Sequence, residues 1–164
     1  MEKPDSLRRV LLAHVPLLRD DPAKLSLFVD KGRIAARPGS LAFEYRYTLN
    51  IVVQDYAGSI DGLMVPILAW ISEAQPDLLQ AGPQEPFRFE SELLDADSAD
   101  VSIWIELSEI VTVRPEAAGG FTTEHPSEPR IADAFEGLGC VSLWHLFLRD
   151  APADETRLVA EHID

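Results

Sequence analysis

The sequence predicts an α+β fold in which two helices cover one face of a mainly antiparallel sheet. Three observations support this fold class: two segments place apolar residues at helical spacing, one long segment alternates strictly, and two shorter segments alternate later in the chain. The segments follow one another as helix, strands, helix and strands, an order typical of α+β layers. We expect residues 1–115 to form one α+β core domain.

The first helix is predicted over residues 5–19, where apolar residues recur on one face. Asp5 is a suitable N-cap because its carboxylate can accept an unpaired backbone N–H. Pro16 lacks an N–H donor, so it should kink or end this helix. His14 lies on the apolar face, where a hydrogen-bonded core histidine is more common than a ligand or a catalytic group.

The clearest strand runs from Leu41 to Gln54, and its odd-numbered residues are all apolar or aromatic. These residues should face the helices. At about 3.3 Å per residue the strand exceeds the usual length, so we place it at the centre of the sheet. Before it, Leu25–Val29 is predicted as a strand, Asp30–Gly32 as a turn and Ile34–Arg37 as a second short strand.

The second helix is predicted over residues 60–75, with apolar residues again at helical spacing. Ser59 can cap its start, and Pro76 should end it. Pro66 lies inside this segment and predicts either a kink or a later start.

Two alternating runs follow the second helix, over residues 87–93 and 101–107. A polar turn separates them, so they are predicted to pair as antiparallel strands. Val111 and Val113 continue the same phase, which extends the second strand toward Pro115.

Composition changes after Pro115. Residues 116–137 are predicted as a linker or long loop, because their glycines and prolines show no apolar period. Residues 138–164 are predicted as a C-terminal strand or arm followed by a polar tail. The arm should not stay exposed, and its candidate interface residues are Leu143, Trp144, Leu146, Phe147 and Leu148. Two placements stay open: an extra edge strand of its own sheet, or an extension onto a neighbouring molecule.

Charge and composition exclude several classes of protein. The 164 residues include 14 Lys plus Arg and 28 Asp plus Glu, which gives a net charge of −14. Tight DNA binding needs a basic face, so we expect none. No run approaches the roughly 18 apolar residues of a membrane span, and the first residues lack the apolar segment of a signal peptide. We therefore expect a cytoplasmic protein with no membrane partner.

The sequence contains no recognisable catalytic or metal-binding motif. Its four histidines are scattered along the chain at His14, His125, His145 and His162. Asp95, Asp97 and Asp100 lack the glycine and the final glutamate of an EF-hand and fit a turn between strands. Cys140 is the only cysteine, and a small buried side chain is its more common role. We expect no enzymatic activity, no cofactor and no bound metal.

Several segments resemble a known family of phage proteins. They are FVDKGRI (28–34), SLAFEYRYTLNIVVQDYAG (40–58), MVPILAWISEAQPDLL (64–79), LDADSADVSIWIELSE (94–109) and LWHLFLRD (143–150). In this order they are similar to the tail completion protein R family of contractile-tailed temperate phages of the Peduovirus type. The fold also resembles that of tail terminator proteins, as an analogy at the level of fold alone.

The resemblance implies a structural virion protein that completes the phage tail for joining to the head. It implies self-association into a ring, with six-fold symmetry to match a tail. Implied partners are the tail tube and sheath proteins and a head-tail connector or second tail completion protein. It implies assembly in the host cytoplasm, then a place at the head-proximal end of the tail. Two other classes stay open: a transient tail assembly chaperone or adaptor, and a small hydrolase.

Overall fold

A computed structural model describes the chain over residues 1–80, 85–94, 98–128, 143–149 and 156–163. The helices are α1 (Lys3–His14), α2 (Pro16–Asp20) and α3 (Asp61–Ala74). The strands are β1 (Leu25–Ala36), β2 (Phe43–Tyr56), β3 (Arg88–Leu93), β4 (Ala99–Pro115), β5 (Phe121–Glu124), β6 (Leu143–Arg149) and β7 (Thr156–Ile163). The described residues thus confirm the α+β class, with α1 and α3 packed on the main sheet.

The helix boundaries follow the prolines. The break at Pro16 is confirmed: Val15 has an extended backbone and Pro16 starts α2, where its missing N–H leaves no partner unsatisfied. The cap of α1 differs from the prediction, because Glu2 holds the N-cap position and Asp5 lies in the first turn. The cap of α3 also differs from the prediction, because Ile60 holds the N-cap position; Ser59 precedes it, and its hydroxyl accepts the N–H of Asp61 at 3.3 Å.

The main sheet has the strand order β1-β2-β4-β3, and every neighbouring pair in it is antiparallel. The short strand β5 pairs with the end of β4. The two longest strands, β2 and β4, therefore lie at the centre, as the sequence predicts for β2. Strands β1 and β3 are the two edges of this path.

Strand β1 corrects one prediction, because residues 25–36 form one strand rather than two strands joined by a turn. Asp30 lies opposite Thr48 and Arg33 opposite Arg46, so two residues of β1 face one residue of β2. This is a β-bulge, which absorbs the irregular segment without reversing the chain. The positive φ of 52° falls on Lys31 rather than on Gly32.

The core lies between the helices and the odd-numbered face of β2. Tyr47, Leu49, Ile51 and Val53 are at most 3% exposed, which confirms the predicted alternation. Leu41 is an exception to the prediction, because it precedes β2 and is 60% exposed. The buried residues packed on this face come from both helices and from β4: Leu7, Leu11, Leu63, Ile67, Ile71, Val101, Ile103 and Ile105.

The C-terminal part differs from the prediction in three ways. Residues 121–124, expected in a linker or long loop, form β5, because Gly119 and Gly120 at positive φ let the chain turn back onto β4. Residues 156–163, expected in a polar tail, form β7. Strand β6 pairs with β7 in a separate two-stranded sheet and is not an edge strand of the main sheet.

The core assignment predicts a large loss of stability for Leu49→Ala. Leu49 is fully buried at the centre of the sheet, so truncating it should lower the free energy of unfolding by about 2–5 kcal/mol. The measurement is chemical denaturation followed by circular dichroism. The matched control is Leu41→Ala at an exposed position, which should change stability by less than about 0.5 kcal/mol. Equal losses at the two positions would contradict the assignment.

Candidate interaction surfaces

The even-numbered face of the main sheet, called here the open face, lies opposite the helices. Phe28, Asn50, Trp104 and Arg88 form one row across its four strands. The Arg88 guanidinium lies 5.3 Å from the centre of the Trp104 ring, a cation–π contact. Among the described residues of this face only Thr48 is buried. The open face is therefore a broad surface with both aromatic and charged groups.

A cleft of about 640 Å³ runs from the bulge of β1 to the turn after α3. Its charged residues are three cations and three carboxylates: Lys31, Arg33, Arg46, Glu44, Asp77 and Glu106. Glu44 pairs with Arg46 at 2.7 Å, and Thr48 donates a hydrogen bond to Glu106 at 2.8 Å. No group of three or more potential metal ligands occurs among the described residues.

The outer edges of the main sheet are two further surfaces. Within the described part of the chain, β1 pairs only with β2, and β3 pairs only with β4. All of β3 is exposed, and β1 is exposed from Phe28 to its end. Edge strands present unpaired backbone groups, to which another strand can bind.

Side chains cover the edge of β4 at Ser108, beyond the point where β3 begins opposite Trp104. Gln75, which follows α3, is 3% exposed and accepts the backbone N–H of Ser108 at 3.1 Å. Lys3 donates to the Ser108 carbonyl at 2.7 Å, to Gln75 at 2.7 Å and to Glu128 at 2.8 Å. All three N–H donors of Lys3 are thus used, and the backbone N–H and carbonyl of Ser108, which β3 does not reach, are both satisfied.

Glu109 is a buried carboxylate next to this edge, with only 3% of its surface exposed. It accepts the backbone N–H of Glu2 at 2.7 Å and the hydroxyl of Tyr47. His125 Nδ1 lies 3.5 Å from its Oε2 atom. The carboxylate therefore stands at the positive end of α1, where a negative charge is stabilising.

The sequence holds a signal for this buried carboxylate, although Glu109 belongs to no catalytic or metal-binding motif. Glu109 occupies an apolar phase that runs from Val101 through Leu107 to Val111. A single carboxylate in such a phase indicates a buried, hydrogen-bonded charge. Its partners could not be named from the sequence, because Glu2, Tyr47 and His125 are distant along the chain.

The candidate residues named from the sequence have different outcomes. Leu143, Trp144, Leu146, Phe147 and Leu148 lie on β6, which pairs with β7, and their side chains lie outside what the structure describes. Their role as an interface stays a prediction. Asp95, Asp97 and Cys140 also lie outside the described residues. Asp100 accepts the backbone N–H of Asp55 at 2.8 Å, a role within the fold.

Comparison with known proteins establishes the family. The chain matches the model of the P2 phage tail completion protein R family over residues 1–129. The chain belongs to this family. It is 43% identical over 132 residues to tail completion protein R of Escherichia phage P2, which covers 79% of this chain and 84% of that protein. No solved structure matches it.

Family membership confirms the resemblance found in the sequence and the interpretation as a phage tail completion protein. The match includes β5 and His125 and ends at residue 129, before β6 and β7. The family is one of structural phage tail proteins. None of the described helices has the length and apolarity needed to cross a membrane.

The contacts of Glu109 predict that Tyr47→Phe will destabilise the protein. The change removes the O–H donor but keeps the ring, so it leaves a buried carboxylate with one partner fewer. We expect the free energy of unfolding to fall by about 1–3 kcal/mol at neutral pH. Tyr45→Phe is the matched control, because the described structure gives that hydroxyl no hydrogen bond. Losses of equal size would contradict a specific role for the Tyr47 hydroxyl.

The same pair predicts a pH dependence. Burial, and then the hydrogen bond and charge of Glu109, raise the pKa of Tyr47 above its ordinary value of about 10. The contribution of this group to stability is complete below pH 10 and declines above it, because the unfolded tyrosine then loses its proton while the folded one keeps it. The stability difference between the native protein and Tyr47→Phe should therefore shrink above pH 10. A constant difference would contradict this.

Proposed function

We propose that this protein is a permanent structural component of a phage tail and that it completes the tail at its head-proximal end, ready for joining to the head. The family match over residues 1–129 carries this proposal. The related protein of Escherichia phage P2 is named for tail completion. The chain acts in assembly by contact rather than by catalysis.

The geometry of the described residues supports a protein that works through surfaces. The two edges of the main sheet and its open face are accessible. The charged groups of the cleft are distributed around its walls, and two of them already pair with each other. A component held between other proteins needs such extended surfaces, because stable protein interfaces bury about 1,200–2,000 Å² in total.

The proposed partners follow from a position at the end of a tail. Copies of this chain form a closed ring, with six-fold symmetry to match the tail below it. One side of the ring contacts the tail tube and sheath proteins. The other side contacts a head-tail connector or a second tail completion protein. Closed symmetry buries the same patch in every copy and leaves no open end.

The proposal predicts where this protein is found in purified phage particles. We expect several copies per particle by quantitative mass spectrometry, with antibody labelling at the end of the tail next to the head. Tails made without this protein should accumulate unjoined to heads. Its absence from complete particles would instead indicate a transient chaperone or adaptor. Labelling at the baseplate end would contradict the proposed position.

A second prediction concerns DNA, which would pass through such a ring. The net charge of −14 opposes the approach of phosphate groups. We expect no retention of labelled double-stranded DNA in a filter assay at physiological salt. Tight binding that weakens steeply with added salt would contradict this and would point to a basic surface around Arg33, Arg37 and Arg46.

A further inference from the structure

The two edge strands of the main sheet carry opposite charges on the open face. On β1, Lys31 and Arg33 line the cleft of that face. On β3, Glu90 and Glu92 share a face with Ser102 and Asp100 of β4. No hydrogen bond or ion pair joins any of these four charged side chains to another described residue. The same face also carries Asp30 on β1 and Arg88 on β3. The β1 edge thus has two cations and one carboxylate, and the β3 edge has two carboxylates and one cation, so their net charges are opposite.

The opposite face of the same two edges is apolar. Val29 and Ile34 lie on the helix side of β1, opposite Leu49 and Tyr45 of β2. On β3, Phe89 and Leu93 lie on the helix side as well, opposite Ile103 and Ala99 of β4. All four of these edge side chains are exposed. Apart from Phe28 on the open face of β1, both edges therefore carry apolar residues on the helix side and charged residues on the open face.

We infer that β1 of one copy pairs with β3 of the next copy, so that the main sheet continues from subunit to subunit. Joining the edges in this way places Val29 and Ile34 beside Phe89 and Leu93 of the neighbour, on the helix side. On the open face it places cations beside carboxylates, a favourable cross-strand arrangement. The inference rests on the proposed function, because it names the surfaces that close the proposed ring.

Strand direction also agrees with this pairing. Three antiparallel steps separate β1 from β3 along the sheet, so the two edges run in opposite directions. Rotation about an axis along the strands brings β3 of one copy next to β1 of another in antiparallel orientation. Every junction between copies then has the same geometry as those within one copy. Such a head-to-tail contact closes into a ring when the rotation divides the circle evenly.

The dimensions suit a ring around a central channel. Six copies of a four-stranded path, at about 4.8 Å between strands, give a barrel about 37 Å across, and strand tilt widens it further. The alternative of pairing β1 with a second β1 would bring Lys31 and Arg33 of two copies together. Like charges opposite each other destabilise a sheet, so that contact is disfavoured.

Charge reversal at the two edges tests the inference. One variant combines Lys31→Glu with Arg33→Glu, and a second combines Glu90→Lys with Glu92→Lys. Copies per tail are measured by quantitative mass spectrometry on tails assembled without the native protein, and self-association of the free protein is measured by sedimentation. We expect each variant to reduce the copies per tail about tenfold or more, because a few attractive charge contacts become repulsive. Where the native free protein self-associates, its association should weaken by a similar factor.

Restoration distinguishes this pairing from a general effect of charge. All four substitutions in one chain should restore assembly, because the reversed edges again match. A mixture of the two variants should also restore it, with the variants alternating around the ring. Arg9→Glu with Arg114→Glu is the matched control for the β1 variant, since it makes the same change in net charge at exposed sites away from both edges and should retain assembly.

Three results would overturn the inference. Unchanged copy numbers in both variants would exclude edge pairing. The proposed function would still hold in that case if the native protein is found at the head-proximal end of the tail. Loss without restoration would mean that these charges meet other partners. Stronger association after reversal at β1 would mean that the cations keep edges apart, which is a known use of charged edge residues. Native protein that is both monomeric and absent from tails would remove the proposed function itself.

Discussion

The pairing of β2 with β4 is the constraint on which the rest of this structure depends. These two strands lie at the centre of the sheet, and their register puts Leu49 opposite Ile105 on the helix side and Thr48 opposite Glu106 on the open face. A slip of one residue would exchange the two faces and expose the whole core. Because α1 and α3 pack on the apolar face that this register creates, both helices depend on it.

A polar junction at one end of the core joins parts of the chain that are far apart in sequence. Lys3 reaches Gln75 after α3, Ser108 on β4 and Glu128 beyond β5. Beside it, Glu109 accepts the backbone N–H of Glu2, the N-cap residue of α1. Burying a charge is costly unless it is paired and hydrogen-bonded, so these residues hold the start of the chain in one place. Two residues beyond β5 also contact this junction: Glu128 pairs with Lys3, and His125 lies next to Glu109.

The edges of the main sheet that the core does not cover are surfaces that a tail component could use to bind its neighbours. Strand β2 pairs on both sides, and β4 pairs with β3 from Ala99 to Trp104, whereas β1 and β3 each have one unpaired edge in the described residues. Gln75 and Lys3 cover the edge of β4 beyond β3, so that stretch is closed to another strand. The bulge at Lys31 interrupts β1 close to the cations of the edge. Within the path β1-β2-β4-β3, the strand edges that remain open to a partner are therefore the outer edges of β1 and β3.

Local patterns in the sequence were enough to determine the fold class, the central strand and the break at Pro16. Each depends on a period of two or 3.6 residues or on the geometry of proline, and these act over short distances along the chain. The resemblance to the family also rests on the sequence alone. Only the tertiary structure decided that residues 25–36 are one bulged strand, that Glu109 is buried against Tyr47, and that the edges of β1 and β3 carry opposite charges. These features depend on residues that meet only after folding, and no local period records which strand becomes an edge or which partner a buried carboxylate finds.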